Sequence, residues 1–295
     1  MSGKAEMCEA GLRVGLHVSI EGTICQAADR AAELGCNTMQ IFTRNPRGWK
    51  FNPLDPNTVE CFKAKVSTLD IKPVFSHMPY LTNLASPKEK VYTLSVRSLK
   101  TELQRCVKLD IPYVVLHMGS DLGFGKDAGL RRIVAAVNSA LQEVPGDVSI
   151  LLENTAGGKN SVGSTFEDIR QVIDNVIESR RTGICFDTCH AFAAGYNVAT
   201  KAGLKRTLNL FDDLIGLDRL KVVHLNDSLG GLDSHLDRHE HIGLGKIGIS
   251  GVRNILQSSL RCLPLILETP IDERCDDAHN LQMVWKLASE GIACL

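Results

Sequence analysis

Seven ionisable residues stand where short apolar runs of this sequence stop: His17, His77, His117, Glu153, Asp187, His224 and Glu268. An eighth run closes on Thr43. One buried histidine is most often a satisfied core residue, but seven groups converging on one face would be costly without a counter-ion, because unpaired buried charge is strongly unfavourable. A divalent metal resolves that cost. Imidazole nitrogen with carboxylate oxygen suits zinc, and also manganese or iron, whereas calcium and magnesium prefer all-oxygen shells. No cysteine belongs to the set, which argues against a structural thiolate site. The loop "DSHLDRHEHIGLGKIG", residues 233–248, adds Asp237 and His239, flanked by His235 and His241. An Asp-x-His pair can reach one ion together with a third group, and His190 in "FDTCH" is the natural candidate; the competing reading is a solvated polar loop. For Asp187 and His190 the competing reading is a helix start, with Asp187 or Thr188 as the N-cap.

Rigid elements must carry such a set. The apolar runs begin at 13, 38, 73, 113, 149, 182, 220 and 263, and between them lie segments with helical spacing, such as Ile24, Ala27, Ala28, Ala31 and Leu34. About 36 residues per unit suits one strand, one helix and their loops. Eight such units predict a single-domain (β/α)8 TIM barrel over residues 13–295, behind a loose tail at 1–12; counting alone leaves a doubly wound sheet open. In either fold the carboxyl ends of parallel strands are where ligands bind.

Bulk properties narrow the class. With 33 basic and 34 acidic residues the chain has no overall basic field, so any phosphate binding must be local. Membrane span and secretory signal core are both missing, and the ten cysteines are scattered without CxxC spacing. Reduced thiols in an intracellular protein are expected, cytoplasmic or, in a eukaryote, nuclear. Cys185 and Cys189 are read as packing residues.

The motifs "HVSIEG" (17–22), "IFTRNPRGW" (41–49), "SHMPYLTNL" (76–84), "LHMGS" (116–120), "LLENTAGG" (151–158), "FDTCHAFAAGY" (186–196), "HLNDS" (224–228), "DRHEHIGLGKIG" (237–248) and "LILETP" (265–270) run through nearly the whole chain. In this order they resemble the endonuclease IV family of apurinic/apyrimidinic endonucleases. The resemblance implies three zinc ions; manganese stays open as an alternative at one site. His77, His117 and Glu153 would hold the first, Glu153 bridging to a second held by Asp187, His224 and Glu268. His190, Asp237 and His239 would hold the third. Three dications against four carboxylates would leave a local charge of about +2, an anion trap in a nearly neutral protein.

The same resemblance implies hydrolysis of the phosphodiester 5′ to an abasic site in duplex DNA, leaving a 3′-hydroxyl and a 5′-deoxyribose phosphate, with trimming of damaged 3′ ends and action as a monomer. Glu268 and Glu153 would be catalytic, Glu268 orienting or deprotonating the nucleophile. Arg47, Tyr80 and Leu81 would wedge into the base stack around the extruded lesion, and Arg44, Arg47 and Lys50 would meet phosphate. Without the resemblance, Tyr80 and Leu81 would be read as loop packing. Two departures, Lys159 and Asn197, are not at ligand positions. The alternative function is a single-metal, xylose-isomerase-like sugar isomerase or epimerase using only Glu153, Asp187, His224 and Glu268; zinc stoichiometry separates it from the nuclease. A zinc-scaffolded DNA-binding protein without catalysis is the third reading.

Overall fold

The computed structural model describes residues 11–290. Eight parallel strands close a barrel: β1 Val14–Val18, β2 Thr38–Ile41, β3 Val74–His77, β4 Tyr113–His117, β5 Ser149–Glu153, β6 Thr182–Asp187, β7 Leu220–His224 and β8 Leu265–Leu267. Each strand pairs with its sequence neighbour, and β1 pairs with β8 to complete the ring. The doubly wound alternative is thereby excluded. The helices are α1 Ile24–Glu33, α2 Pro56–Thr68, α3 Glu89–Leu109, α4 Lys126–Glu143, α5 Phe166–Asn175, α6 Thr188–Ala193, α7 Lys201–Leu214, α8 Gly248–Leu256 and α9 Asp277–Glu290. Residues 1–10 of the expected tail lie outside the described residues. Leu12 already packs on the core, and its carbonyl accepts from Asn37 Nδ2.

Local chemistry explains the units. In α1 the residues Ile24, Ala27, Ala28 and Ala31 form the expected buried stripe. Asp55 caps α2 by accepting from Thr58 N at 2.8 Å, ahead of Pro56 at a position that needs no N–H. Most of the core lies between helices and sheet, while a second cluster of Phe75, Val115, Leu151, Cys185, Val222 and Ile266 fills the barrel interior. Strand side chains alternate faces, so the inward residue one step nearer the carboxyl end is two positions on. Those residues are His77, His117, Glu153, Asp187, His224 and Glu268. An apolar layer therefore supports a polar one of the same strands.

One expectation is corrected. The cysteines are not all reduced: α1 and α2 pack side by side and bring Cys25 and Cys61 to a Cα separation of 5.8 Å, where a disulfide joins them. Cys262 is also disulfide-bonded. The thiol argument for an intracellular compartment falls with this. Cys185 and Cys189 are free and fully buried, as expected of packing residues, and burial pushes both thiols up. Among the described residues no helix is long and apolar enough to cross a membrane.

Candidate metal centre at the barrel mouth

The nine residues expected as ligands come together at the carboxyl ends of the strands, around a cavity of about 820 Å³. His77, His117, His190, Asp237, His239 and Glu268 line it, and Glu153, Asp187 and His224 lie fully buried. Ligand-capable atoms of His77, His117 and Glu153 fall within 4.8 Å of one another. So do those of Glu153, Asp187, His224 and Glu268, and those of Asp187, His190 and His239. Asp237 Oδ1 is 3.1 Å from His190 Nε2, which joins the loop aspartate to the last group.

Glu153 is the hub. Its Oε2 lies 2.8 Å from His117 Nε2 and 3.3 Å from His77 Nε2, while Oε1 lies 3.1 Å from His224 Nδ1. A carboxylate whose two oxygens face different groups of donors has the geometry of a bridge. Asp187 serves two ends: Oδ1 accepts from His190 N at 2.7 Å and starts α6, and Oδ2 accepts from Asn226 Nδ2 at 2.8 Å. The helix-start reading of Asp187 therefore holds, and the same turn aims His190 into the cluster.

The imidazoles are set by their outer partners. His77 Nδ1 donates to Met78 O at 2.8 Å, His190 Nδ1 to Asn154 O at 3.0 Å and His239 Nδ1 to Glu268 O at 2.9 Å, since a carbonyl oxygen can only accept. Each neutral ring is left with a lone pair at Nε2 facing the cluster, the tautomer that metal ligation needs. His190 Nε2 and His239 Nε2 stand 3.4 Å apart beside Asp237, the place of a proton on His190 Nε2 or of a metal ion. Such a donor set fits a cation.

Electrostatics point the same way. Burial alone would raise the Glu153 carboxyl, but His117 and His224 hold it well below the usual carboxylate range. Glu268, also buried, is held low by His224 and His17. Burial works against charge on His190, yet Asp187, Asp237 and Glu153 together push that imidazole up to about 10. The hydrogen bond from His190 brings Asp237 down to about 2. The cavity attracts positive charge, and protons and metal ions compete for the same atoms.

Other residues stand elsewhere. Thr43 does not line the cavity: it is buried against α3, giving its hydroxyl to Glu102 at 2.7 Å. The inward residue of β2 is Gln40, which a reading of the polar residues closing each run misses because an uncharged amide inside "TMQI" does not announce itself. Its Nε2 donates to Glu268 Oε1 at 2.7 Å, and its Oε1 accepts from His224 Nε2 at 2.9 Å. Asn226, likewise missed, ties Asp187 to Glu268 by donating to the first and accepting from Glu268 N at 2.8 Å. His17 lies 3.1 Å from Glu268 Oε1, and its burial lowers its basicity. His235 is exposed over Ala156 O, and His241 is buried against Asp272 and Asn280, so neither flanking histidine joins the cluster.

In the loop after β2 Arg47 and Lys50 are exposed, and at the cavity's edge Tyr80 is 67% exposed and Leu81 39%. Tyr80 stands edge-on to Phe42 with ring centres 5.0 Å apart. Arg44 corrects the expectation of a phosphate contact: it is buried, paired with Glu102 at 3.4 Å and bonded to Ser98. Lys159 is exposed in the turn after β5, and nothing in the structure explains it. Asn197 accepts from Ala199 N at 3.0 Å and Thr200 N at 3.2 Å, shaping the entry to α7.

Fold and site define a TIM barrel whose mouth is built from histidines and carboxylates, and residues 28–290 match the family model of the xylose isomerase-like TIM barrel. Within that class the chain belongs to the endonuclease 4 family. It is 54% identical over 277 residues to the "Probable endonuclease 4" of Methanoculleus marisnigri, covering 93% of this chain and 98% of that protein. The protein of the same name from Nitrosopumilus maritimus is 45% identical, over 94% of this chain and all of its relative. Endonuclease IV from Thermus thermophilus superposes with a TM-score of 0.84 at 36% identity, over 94% of this chain and 99% of that one. A D-tagatose 3-epimerase-like protein superposes at 0.68 with 21% identity, a likeness of fold alone.

Proposed function

We propose that the protein is a zinc-dependent DNA-repair endonuclease that hydrolyses the phosphodiester 5′ to an abasic site in duplex DNA, leaving a 3′-hydroxyl and a 5′-deoxyribose phosphate. Trimming of blocked 3′ ends uses the same site, and the enzyme acts as a monomer. One observation carries the reading: His190, Asp237 and His239 stand beside the quartet Glu153, Asp187, His224 and Glu268. A single-metal sugar isomerase would use the quartet and leave the loop groups without a task. The names of the relatives support the same substrate class.

Divalent ions, when bound, supply Lewis acidity and an acidified water near neutral pH. The chain does the rest. His77 and His117 with Glu153 would hold one ion, Asp187, His224 and Glu268 with Glu153 a second, and His190, Asp237 and His239 a third, with manganese an alternative to zinc at one site. Glu268, fixed at Oε1 by Gln40 and His17, orients the attacking water. Water oxygen bonds to phosphorus, the bond from phosphorus to the 3′-oxygen breaks, and that oxygen leaves with a proton. Arg47, Tyr80 and Leu81 on the rim fill the stack where the lesion has left it, the extrusion costing least where stacking is already lost.

The test is incision of a labelled duplex carrying one abasic analogue, with zinc counted on the same preparation. A single cut whose 3′ end a polymerase extends, with about three zinc ions per chain, is expected. An uncut duplex with about one metal per chain and turnover of a ketose would establish the isomerase instead. Tight binding without cutting would leave a DNA-binding protein.

A further inference from the structure

Asp237 and His239 stand on a long excursion between β7 and α8, and a loop of that length is a poor platform for a metal site unless something fixes it. Both of its ends are fixed beside Asp227. On the near side, Asp227–Ser228 pairs antiparallel with His239–Glu240, with Ser228 opposite His239, and Leu229 N donates to Arg238 O at 3.0 Å. On the far side, the glycine-rich turn folds over the Asp227 carboxylate.

That carboxylate is fully buried, and backbone amides hold it. Oδ1 accepts from Ser228 N at 2.8 Å, Ile247 N at 3.0 Å and Gly248 N at 3.2 Å. Oδ2 accepts from Gly243 N at 2.9 Å, Gly245 N at 3.1 Å and Gly248 N at 3.1 Å. Converging amides of this kind form a nest whose natural guest is an anion. Here the guest belongs to the chain. The approach is close enough that a Cβ on Gly245 would collide with Asp227 Oδ1 and come within 2.5 Å of Ser228 O.

We propose that Asp227 is the positioning residue of the metal loop: its carboxylate, clasped by the amides of residues 243–248, fixes where Asp237 and His239 stand and thereby governs occupancy of the divalent-cation site they share with His190. The proposal rests on the metal reading given above. It assigns no contact between Asp227 and metal or DNA. Because both oxygens already accept, Asp227→Asn would turn an NH2 group against at least three N–H donors in either orientation of the amide, leaving the barrel strands untouched. Gly245→Ala disturbs the same contact from the loop side and serves if the first variant does not fold.

The experiment compares wild type, Asp227→Asn and Gly245→Ala, all purified with zinc. Thermal melting reports the barrel, zinc per chain after graded chelation reports the sites, and amide exchange of residues 229–248 reports the loop. In both variants retention of the most weakly held zinc should fall by about 10–100-fold, the range seen when an outer-sphere partner of a ligand is lost. Exchange in 229–248 should quicken while the strands stay protected, and added zinc should restore both readings. Wild type without tightly held zinc would sink the metal reading on its own. Exchange of 229–248 equal to wild type in the folded variants overturns the anchor, whatever the zinc count.

Discussion

Gln40 on β2 and Glu268 after β8 are 228 residues apart in sequence and 2.7 Å apart in space, the amide Nε2 donating to the carboxylate Oε1. The other end of the same amide takes His224 Nε2–H, which leaves Nδ1 of that ring facing the cluster. One neutral side chain thus sets the angle of the proposed catalytic carboxylate and the tautomer of a ligand. Gln40→Leu keeps the volume and removes both bonds. Single-turnover incision should slow by about 10–100-fold with the zinc count nearly unchanged; a wild-type rate would show that Glu268 and His224 hold their places without it.

Glu268 itself is tested by Glu268→Gln, which keeps size and one oxygen but removes the charge. The chemical step should fall by at least ~10²–10³-fold while binding of abasic duplex survives. Single-turnover kinetics paired with a binding titration separates the two. Near-normal chemistry would move the role of orienting water to another group.

Several parts of this site are legible in the sequence because of strand periodicity. An inward apolar residue followed two positions later by His, Asp or Glu, as in Val115–His117, Leu151–Glu153 and Val222–His224, marks both the strand and its functional end. Gln40 has the same phase but neither charge nor metal affinity, so only the third dimension reveals it. Arg44 reads in sequence as an arginine free to meet phosphate; its partner Glu102 lies 58 residues further on, in α3. Non-local pairings of this kind, the Cys25–Cys61 disulfide included, leave no pattern in a local window.

The pH behaviour of the metal-free protein follows from His190 and Asp237. His190 is raised to about 10 from an ordinary 6.5, so its contribution to stability is fully present below 6.5 and fades as pH rises through 10. Asp237 is lowered to about 2, so its contribution is present above its ordinary 3.8 and fades as pH falls through 2. Metal-stripped protein should lose melting temperature between pH 6.5 and 10, whereas zinc affinity should rise over the same interval as the metal displaces protons. Melting curves with and without zinc across that range would decide it, and parallel curves would contradict the competition.

Chelation should separate kinetics from equilibrium. Ligands carried on rigid strands and oriented by carbonyls release metal slowly, so brief EDTA should leave incision largely intact and prolonged chelation with heat should abolish it. Loss within the mixing time, rescued only by magnesium, would contradict a zinc cluster.

Recognition can be separated from chemistry at the rim. Tyr80 is exposed and leans on Phe42, and Phe42 in turn stands 4.3 Å from the His17 ring and 5.7 Å from His77, so the side chain proposed as a wedge rests on rings at the barrel mouth. Replacing Tyr80 and Leu81 with alanine should weaken binding of abasic duplex by about 1–3 kcal/mol per lost stacking contact. Zinc content and melting should not change, because neither side chain is a proposed ligand. Arg47→Ala should weaken binding too, with a shallower salt dependence if the guanidinium also neutralises phosphate. The deciding quantity is the ratio of abasic to intact duplex affinity at one ionic strength. A lost wedge shrinks that ratio, whereas a lost phosphate contact lowers both affinities together; an unchanged ratio in the Tyr80/Leu81 variant would return both residues to the packing of the loop.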